Sequence, residues 1–136
     1  MNIDEIIKSI KNNEGFRSRV YKDSLGFDTI GYGFAIKNLE LSESISDILL
    51  KQKLLMLIIN IHERFQWFRK MPDKIQGVVV EMCYQLGITG FSKFRKTIAY
   101  LANKRWKEAS KEMMNSRWAV QTPNRAKELS EIVRES

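Results

Sequence analysis

Ile3, Ile6, Ile7 and Ile10 recur at helical spacing and give the first segment of the chain one apolar face. Asn2 precedes them as a capping residue, and Glu5 follows three positions on, in the capping-box arrangement. Gly15 is a stop signal just past the last turn. Glu14 is thereby left at the helix C-terminus, where the dipole disfavours a negative charge. The pattern then changes. Phe16 to Lys22 and Phe27 to Phe34 read as the two arms of a hairpin, the second rich in β-branched and aromatic residues. Between them, Asp23, Ser24, Leu25 and Gly26 suit a type I turn, with Asp first and Gly fourth. Gly31 and Gly33 weaken the return arm and mark a bulge or the close approach of another group.

After a polar connection through Lys37 and Asn38, helical periodicity takes over. Ser42 or Ser44 caps a long helix predicted to run to about Ile61, with Ile45, Ile48, Leu49, Leu54, Leu57, Ile58 and Ile61 on a broad apolar face. An aromatic segment with Phe65, Trp67 and Phe68 leads to a boundary at Pro72. Asp73 is the expected cap of the next helix, which runs to about Leu86. Ile75, Val78, Val79, Met82, Cys83 and Leu86 make it the candidate buried central helix. Gly87 and Gly90 bracket a short turn. Phe91 to Ala102 and Arg105 to Asn115 read as two helices joined tightly at Asn103 and Lys104. Ser116, Arg117 and Trp118 open a short segment. Thr122 followed by Pro123 is the start signal of the last helix. The chain shows no internal repeat and no low-complexity linker. The fold class predicted is mostly α (α+β).

With 136 residues, 43% of them hydrophobic, the chain is long enough and apolar enough to bury a core without staples. One cysteine, Cys83, excludes an internal disulfide framework, and one histidine, His62, excludes a zinc cluster of the usual kind. Cys83 reads as a core thiol and His62 as a partly solvated helix residue. Asp4 and Glu5, without a long apolar run, argue against a secretory signal. The most apolar run, Leu54 to Ile59, is too short to span a bilayer. The net charge of +7 favours anionic partners: nucleic acid, acidic lipid or an anionic wall polymer. Charge alone puts nucleic acid first, but no helix presents a clear basic reading face.

Three polar residues of the hairpin region are candidates for chemistry: Glu14, Asp23 and Thr29. Each has a plainer account alone, as a solvated helix end, a turn initiator and a strand residue. Together they fit one scheme. Glycosidic hydrolysis needs two carboxyls in unlike surroundings, one protonating the leaving oxygen and the other supporting an oxocarbenium-like transition state or activating water. A helix end and a wet hairpin turn are two such surroundings, and a threonine hydroxyl can orient the water.

These residues also resemble a known family. Glu14-Gly15, Asp23 nine residues after Glu14, and Thr29-Ile30-Gly31 with Gly33 six residues further on are similar to the active-site signature of the phage-type lysozymes. These are muramidases of glycoside hydrolase family twenty-four. Cys83-Tyr84-Gln85-Leu86-Gly87-Ile88-Thr89-Gly90 resembles the end of the family's central helix. Lys104-Arg105-Trp106, Ser116-Arg117-Trp118 and Gln121-Thr122-Pro123-Asn124-Arg125-Ala126 resemble its later helices. The matches fall in order along nearly the whole chain.

The resemblance implies a single lysozyme-like domain over 1–136. It would comprise a small hairpin lobe (about 14–41), a larger helical lobe (about 1–13 and 62–136) and a connecting long helix (about 42–61). It implies Glu14 as general acid, Asp23 as second carboxylate and Thr29 as the group that positions water, with inversion at the anomeric carbon. Tyr84, Gln85, Thr97 and Glu112 fall where relatives contact substrate, and Arg125 falls where a family arginine pairs with the catalytic glutamate. Neither a metal nor another cofactor is implied. The implied substrate is peptidoglycan, cleaved at the β-1,4 bond between N-acetylmuramic acid and N-acetylglucosamine. The implied setting is phage lysis by an endolysin, with a tail-associated or bacteriocin-type role as variants. Such an enzyme is a monomer without stable membrane insertion. It is held in the host cytoplasm until a holin gives it access to the wall. Two departures stand out. Phe34 occupies a position where many relatives have histidine, and the run from Phe34 to Ser42 is shorter than in the T-even phage members. Two rival readings are a non-catalytic wall-binding relative and a basic helical nucleic-acid-binding module.

Overall fold

The computed structural model describes residues 1–136. Helices take up 69% of them, and the strands form one small antiparallel sheet, so the fold is mostly α and α+β in class, as the pattern predicts. The chain forms two compact units, Met1–Ser46 and Asp47–Ser136.

The first unit opens with helix α1 (Ile3–Glu14). Asn2 caps it as expected, its side-chain oxygen accepting the Glu5 N–H at 3.2 Å. Gly15 ends it at φ +70°, and its N–H returns to the Lys11 carbonyl. Strand β1 (Arg17–Lys22) pairs antiparallel with β2 (Asp28–Gly31), which pairs in turn with β3 (Phe34–Ala35), in the order β1-β2-β3. The single return arm expected from Phe27 to Phe34 is therefore two strands. Gly31 and Gly33 adopt φ of +68° and +77°, a region that favours glycine, and the chain reverses there so that Phe34 lies opposite Ile30. Between the Arg17–Gly31 and Tyr21–Thr29 pairs, β1 advances four residues while β2 advances two, a bulge in the first strand. A 3-10 turn over Ile36–Asn38 follows.

Helix α2 (Glu43–Arg64) runs three residues beyond the expected end. Ser42 is its cap, the hydroxyl accepting the Ile45 N–H at 3.2 Å, and Ser44 lies inside the helix. Helix α3 (Asp73–Ser92) is the buried one, with Ile75, Val78, Val79, Met82, Cys83 and Phe91 in the core. Its cap position belongs to Pro72 rather than to Asp73: Pro72 is extended, its carbonyl accepts the Gln76 N–H, and Asp73 is already helical. Asp73 still suits the first turn, where a carboxylate faces the positive end of the dipole. The helix does not stop at Leu86. Gly87, at φ +76° and ψ +159°, interrupts it, and a last helical stretch runs on to Ser92. Helix α4 (Arg95–Ala102), α5 (Trp106–Met114), α6 (Arg117–Gln121) and α7 (Pro123–Arg134) complete the unit. Ser116 caps α6 through the Ala119 N–H at 3.2 Å. Pro123 opens α7 as expected, but the Thr122 hydroxyl donates back to the Trp118 carbonyl at 3.0 Å instead of capping α7.

The core of this unit gathers on α3, where Ile61, Phe65, Leu101, Met113, Leu129 and Val133 from other segments join it. Phe65 meets Phe91 edge-on with ring centroids 5.6 Å apart. Trp118 is buried in this cluster, while Trp67 and Trp106 pack on it half-buried. His62 is exposed, with its ring edge against Phe68 at 4.9 Å.

Cys83 is buried, and desolvation of its thiolate pushes the thiol up to about 12. In the native protein it should resist a thiol reagent at pH 8 and react fully after denaturation. The raised value has a defined sign for stability. The unfolded thiol ionises from about pH 9 while the folded one keeps its proton, so this group lowers stability as pH rises from about 9 to about 12. Urea midpoints of the wild type and Cys83→Ala across that range check this: the wild type should lose stability with pH more steeply.

Candidate active site

Glu14, Asp23 and Thr29 all lie in the first unit, each placed by a different device. Glu14 is the last residue of α1, and the turn at Gly15 releases its side chain from the helix. Its carboxyl lies against the backbone at Gly33, where a Cβ would stand 2.5 Å from Oε2. Glycine at position 33 thus serves twice, through its positive φ and through the room it leaves the acid. Tyr32, between the two glycines, packs on Phe16 with centroids 5.5 Å apart, and Lys11 Nζ lies 5.3 Å from its ring centre.

Asp23 begins the turn between β1 and β2, and Gly26 N–H donates to its carbonyl at 3.0 Å. The side chain closes the same turn. Oδ1 accepts the N–H groups of Leu25 at 2.9 Å and Phe27 at 2.8 Å, an Asx-type arrangement that holds the carboxylate in one orientation. Both bonds go to one oxygen, so Oδ2 is left for other partners. The neighbouring cation, Lys22, is engaged by Asp28 at 2.6 Å.

Thr29, at 3% exposure, is the one buried residue of this unit. It sits in the middle strand, opposite Tyr21 on one side and Ala35 on the other. Its hydroxyl donates to the Phe27 carbonyl at 2.9 Å. With its proton committed, the oxygen can only accept from a further group such as water. The same Phe27 residue receives this bond at its carbonyl and gives its N–H to Asp23, so the carboxylate and the hydroxyl share one backbone anchor.

The remaining predicted site residues belong to the second unit. Tyr84 and Arg125 line a mostly apolar groove of about 620 Å³. Arg125 Nη2 donates to Glu81 Oε1 at 3.2 Å. Glu81, one helical turn before Tyr84, is a residue that sequence reasoning missed, because nothing local in the chain marks a pairing across 44 positions. Gln85 plays a structural part, since its Oε1 accepts the indole N–H of Trp118 at 2.9 Å. Thr97 and Glu112 come together on the wall of one cleft of about 430 Å³.

A helix-end carboxyl, a carboxylate anchored by its own turn and an accepting hydroxyl, within one small unit, are the equipment of acid-assisted glycoside hydrolysis. A family model described as phage lysozyme matches residues 11–134, a span that includes all three residues. The chain belongs to that family and is a lysozyme-type hydrolase. It is similar to probable T4-type lysozyme 1 of Dictyostelium discoideum, 27% identical over 160 residues that cover 96% of this chain and 94% of the relative. It is also similar to probable T4-type lysozyme 2 of the same organism, 27% identical over 86% of each chain.

The close approach at position 33 is testable. Gly33→Ala should lower wall-hydrolysing activity by roughly 100-fold, the order expected when a catalytic group is misplaced by about 1 Å. Gly87→Ala is the control, since Gly87 also has positive φ but a Cβ there meets nothing within 4 Å. In thermal melts Gly87→Ala should lose roughly 1–3 kcal/mol for its strained backbone and Gly33→Ala at least as much, since its Cβ also meets the Glu14 carboxyl, and only Gly33→Ala should lose activity to that extent.

Proposed function

We propose that this protein is a peptidoglycan hydrolase that cleaves the β-1,4 bond between N-acetylmuramic acid and N-acetylglucosamine. What carries the reading is the presence of Glu14, Asp23 and Thr29 together in one unit, inside the span matched by the phage lysozyme family. Glu14 is the general acid. It gives its proton to the glycosidic oxygen as the bond to the anomeric carbon breaks, and Gly33 leaves its carboxyl the room to do so. Asp23, held by two N–H donors, presents its other oxygen to the positive charge that develops on the sugar or to the water that attacks it. Thr29 accepts a hydrogen bond from that water and so fixes the direction of its lone pair. Water held on the face opposite the leaving oxygen yields the inverted anomer.

No helix is long and apolar enough to cross a membrane. The biological setting that suits the activity is host lysis by a monomeric endolysin. The enzyme waits in the cytoplasm, and a holin opens its route to the wall. The chain needs no metal or other cofactor for the steps above.

Turbidity loss of purified murein tests the assignment. Glu14→Gln should slow clearing by roughly 1,000-fold, in the range of a lost general acid, while folding as the wild type does. Equal clearing by both proteins would remove Glu14 from the mechanism. Thr29 divides into two variants. Thr29→Ser keeps the hydroxyl and should remain active within about threefold, whereas Thr29→Val should lose roughly 100-fold. The valine variant also loses the hydroxyl's bond to the Phe27 carbonyl, at about 1 kcal/mol of stability, while that carbonyl keeps the Asp23 N–H at 2.9 Å. The anomeric form of the fresh product, read by NMR, should be inverted; a retained product would reassign Asp23 as a nucleophile.

A further inference from the structure

Glu14 ends a helix on a long, flexible side chain, and it enters none of the protein's ion pairs. Its carboxyl still needs a fixed place, because a general acid works only within hydrogen-bond reach of the atom that it protonates. The contact that places it is the backbone at Gly33, where a Cβ would lie 2.5 Å from Oε2 and 2.9 Å from Cδ. That backbone is part of the turn Gly31-Tyr32-Gly33, between the paired Ile30 and Phe34. Both glycines have positive φ, and by themselves they leave the turn loose. Tyr32 supplies the side chain between them, and it is half-buried. Its ring packs on Phe16, with centroids 5.5 Å apart and planes tilted by 49°, and Lys11 Nζ stands 5.3 Å from the ring centre. Both partners flank Glu14 in the chain. Lys11 lies about one helical turn before it, and the Lys11 carbonyl accepts the Gly15 N–H that ends α1. Phe16 follows Gly15 directly. The helix end that carries the acid therefore also holds the ring that anchors the Gly33 turn.

We propose that Tyr32 is a positioning residue for Glu14: gripped by Phe16 and Lys11, its ring keeps the Gly33 backbone against the carboxyl of the acid. The inference rests on Glu14 being the general acid. The two contacts are directional, one between aromatic rings and one between a cation and a ring face, so together they hold the ring in one orientation. Without the ring, the glycines let the turn swing away, and the carboxyl loses the wall that stops it. The far side of the turn is closed as well, since the Phe34 ring lies 2.8 Å from where a Cβ on Gly31 would stand. Both contacts of Tyr32 are made by the ring itself, so phenylalanine can replace it. Tyr32 does not touch the reacting atoms in this scheme. Its effect passes through Gly33 to Glu14, and it falls on the chemical step instead of on substrate binding.

The test compares variants of the full chain on soluble peptidoglycan fragments, at a temperature where each is folded. Tyr32→Ala should lower kcat by roughly 30-fold, part of the loss that a misplacement of about 1 Å brings, with KM within about threefold of the wild type. Tyr32→Phe should keep kcat within about twofold, because it keeps the ring. Lys11→Met, at an exposed position, should lower kcat by about threefold, the order of one exposed cation–π contact. A ring that served stability alone would lower the melting temperature and leave the kcat of the folded protein unchanged. A second readout needs no turnover. The NMR cross-relaxation between the Gly33 α-protons and the Glu14 γ-protons should be present in the wild type and in Tyr32→Phe, and lost in Tyr32→Ala. Persistence of that contact in Tyr32→Ala, or an unchanged kcat, overturns the inference, and so does a loss that Tyr32→Phe shares. Should Tyr32→Ala not fold, Lys11→Met decides, and an unchanged kcat there overturns it. Failure of the acid assignment looks different: Glu14→Gln would clear murein as fast as the wild type, while the Gly33 contact would still depend on Tyr32.

Discussion

Removal of the apolar side of α3 from water is the interaction on which the larger unit depends. Ile75, Val78, Val79 and Met82 are each no more than 2% exposed, and segments from Ile61 to Val133 close over them. Each such side chain contributes about 1.5–3 kcal/mol when fully buried. That burial orders α4 to α7, and through them it sets the cleft wall: Trp118 belongs to the core on one side and to the cleft floor on the other. Gly87 allows α3 to do this without continuing as a straight rod, so that Phe91, beyond the break, still returns to the core.

The smaller unit is held by other means. Thr29 is its one buried residue, and its order comes from backbone pairing and turn chemistry instead of a core. Asp23 is central to this. One carboxylate oxygen closes the β1–β2 turn through two N–H groups, and Phe27 links that turn to Thr29. The groups proposed for chemistry are therefore also the groups that hold the sheet. Asp23→Asn would keep an acceptor for the turn, and Thr29→Ser would keep the donor to Phe27. Charge and structure can thus be separated at both positions.

Electrostatic design also differs between the units. In the first, the cation next to Asp23 is neutralised by Asp28, and Lys11 and Lys37 lie over the rings of Tyr32 and Phe27. In the second, Arg125 and Arg105 are paired with Glu81 and Glu108, while the cations around Thr97 are left without partners. A net charge of +7 is thus a poor guide when read as a total. Its meaning lies in which cations the fold leaves unpaired.

Local patterning determined a large part of this protein. The helices, the Asn2 cap, the Asp23 turn and the Pro123 start depend on contacts within a few residues, and the order of the residues is enough to specify them. The central place of α3 was legible too, because a helix apolar over most of its length has to be buried. The candidate site was legible in part: Glu14, Asp23 and Thr29 stood out through their resemblance to a family signature, and the Asp23 turn could be read locally, but the bonds that anchor Asp23 and Thr29 to Phe27 could not. Local signals went astray where neighbours competed for the same groups. Pro72 took the cap position from Asp73, and Thr122 turned back to Trp118. Tertiary structure alone decided that Gly33 leaves room for the Glu14 carboxyl, that Arg125 pairs with Glu81, and that Lys93, Arg95, Lys96 and Arg117 surround one cleft. Each of these joins residues from separate segments, and chain order carries no distance between them until burial of the core or pairing of the sheet brings the segments together.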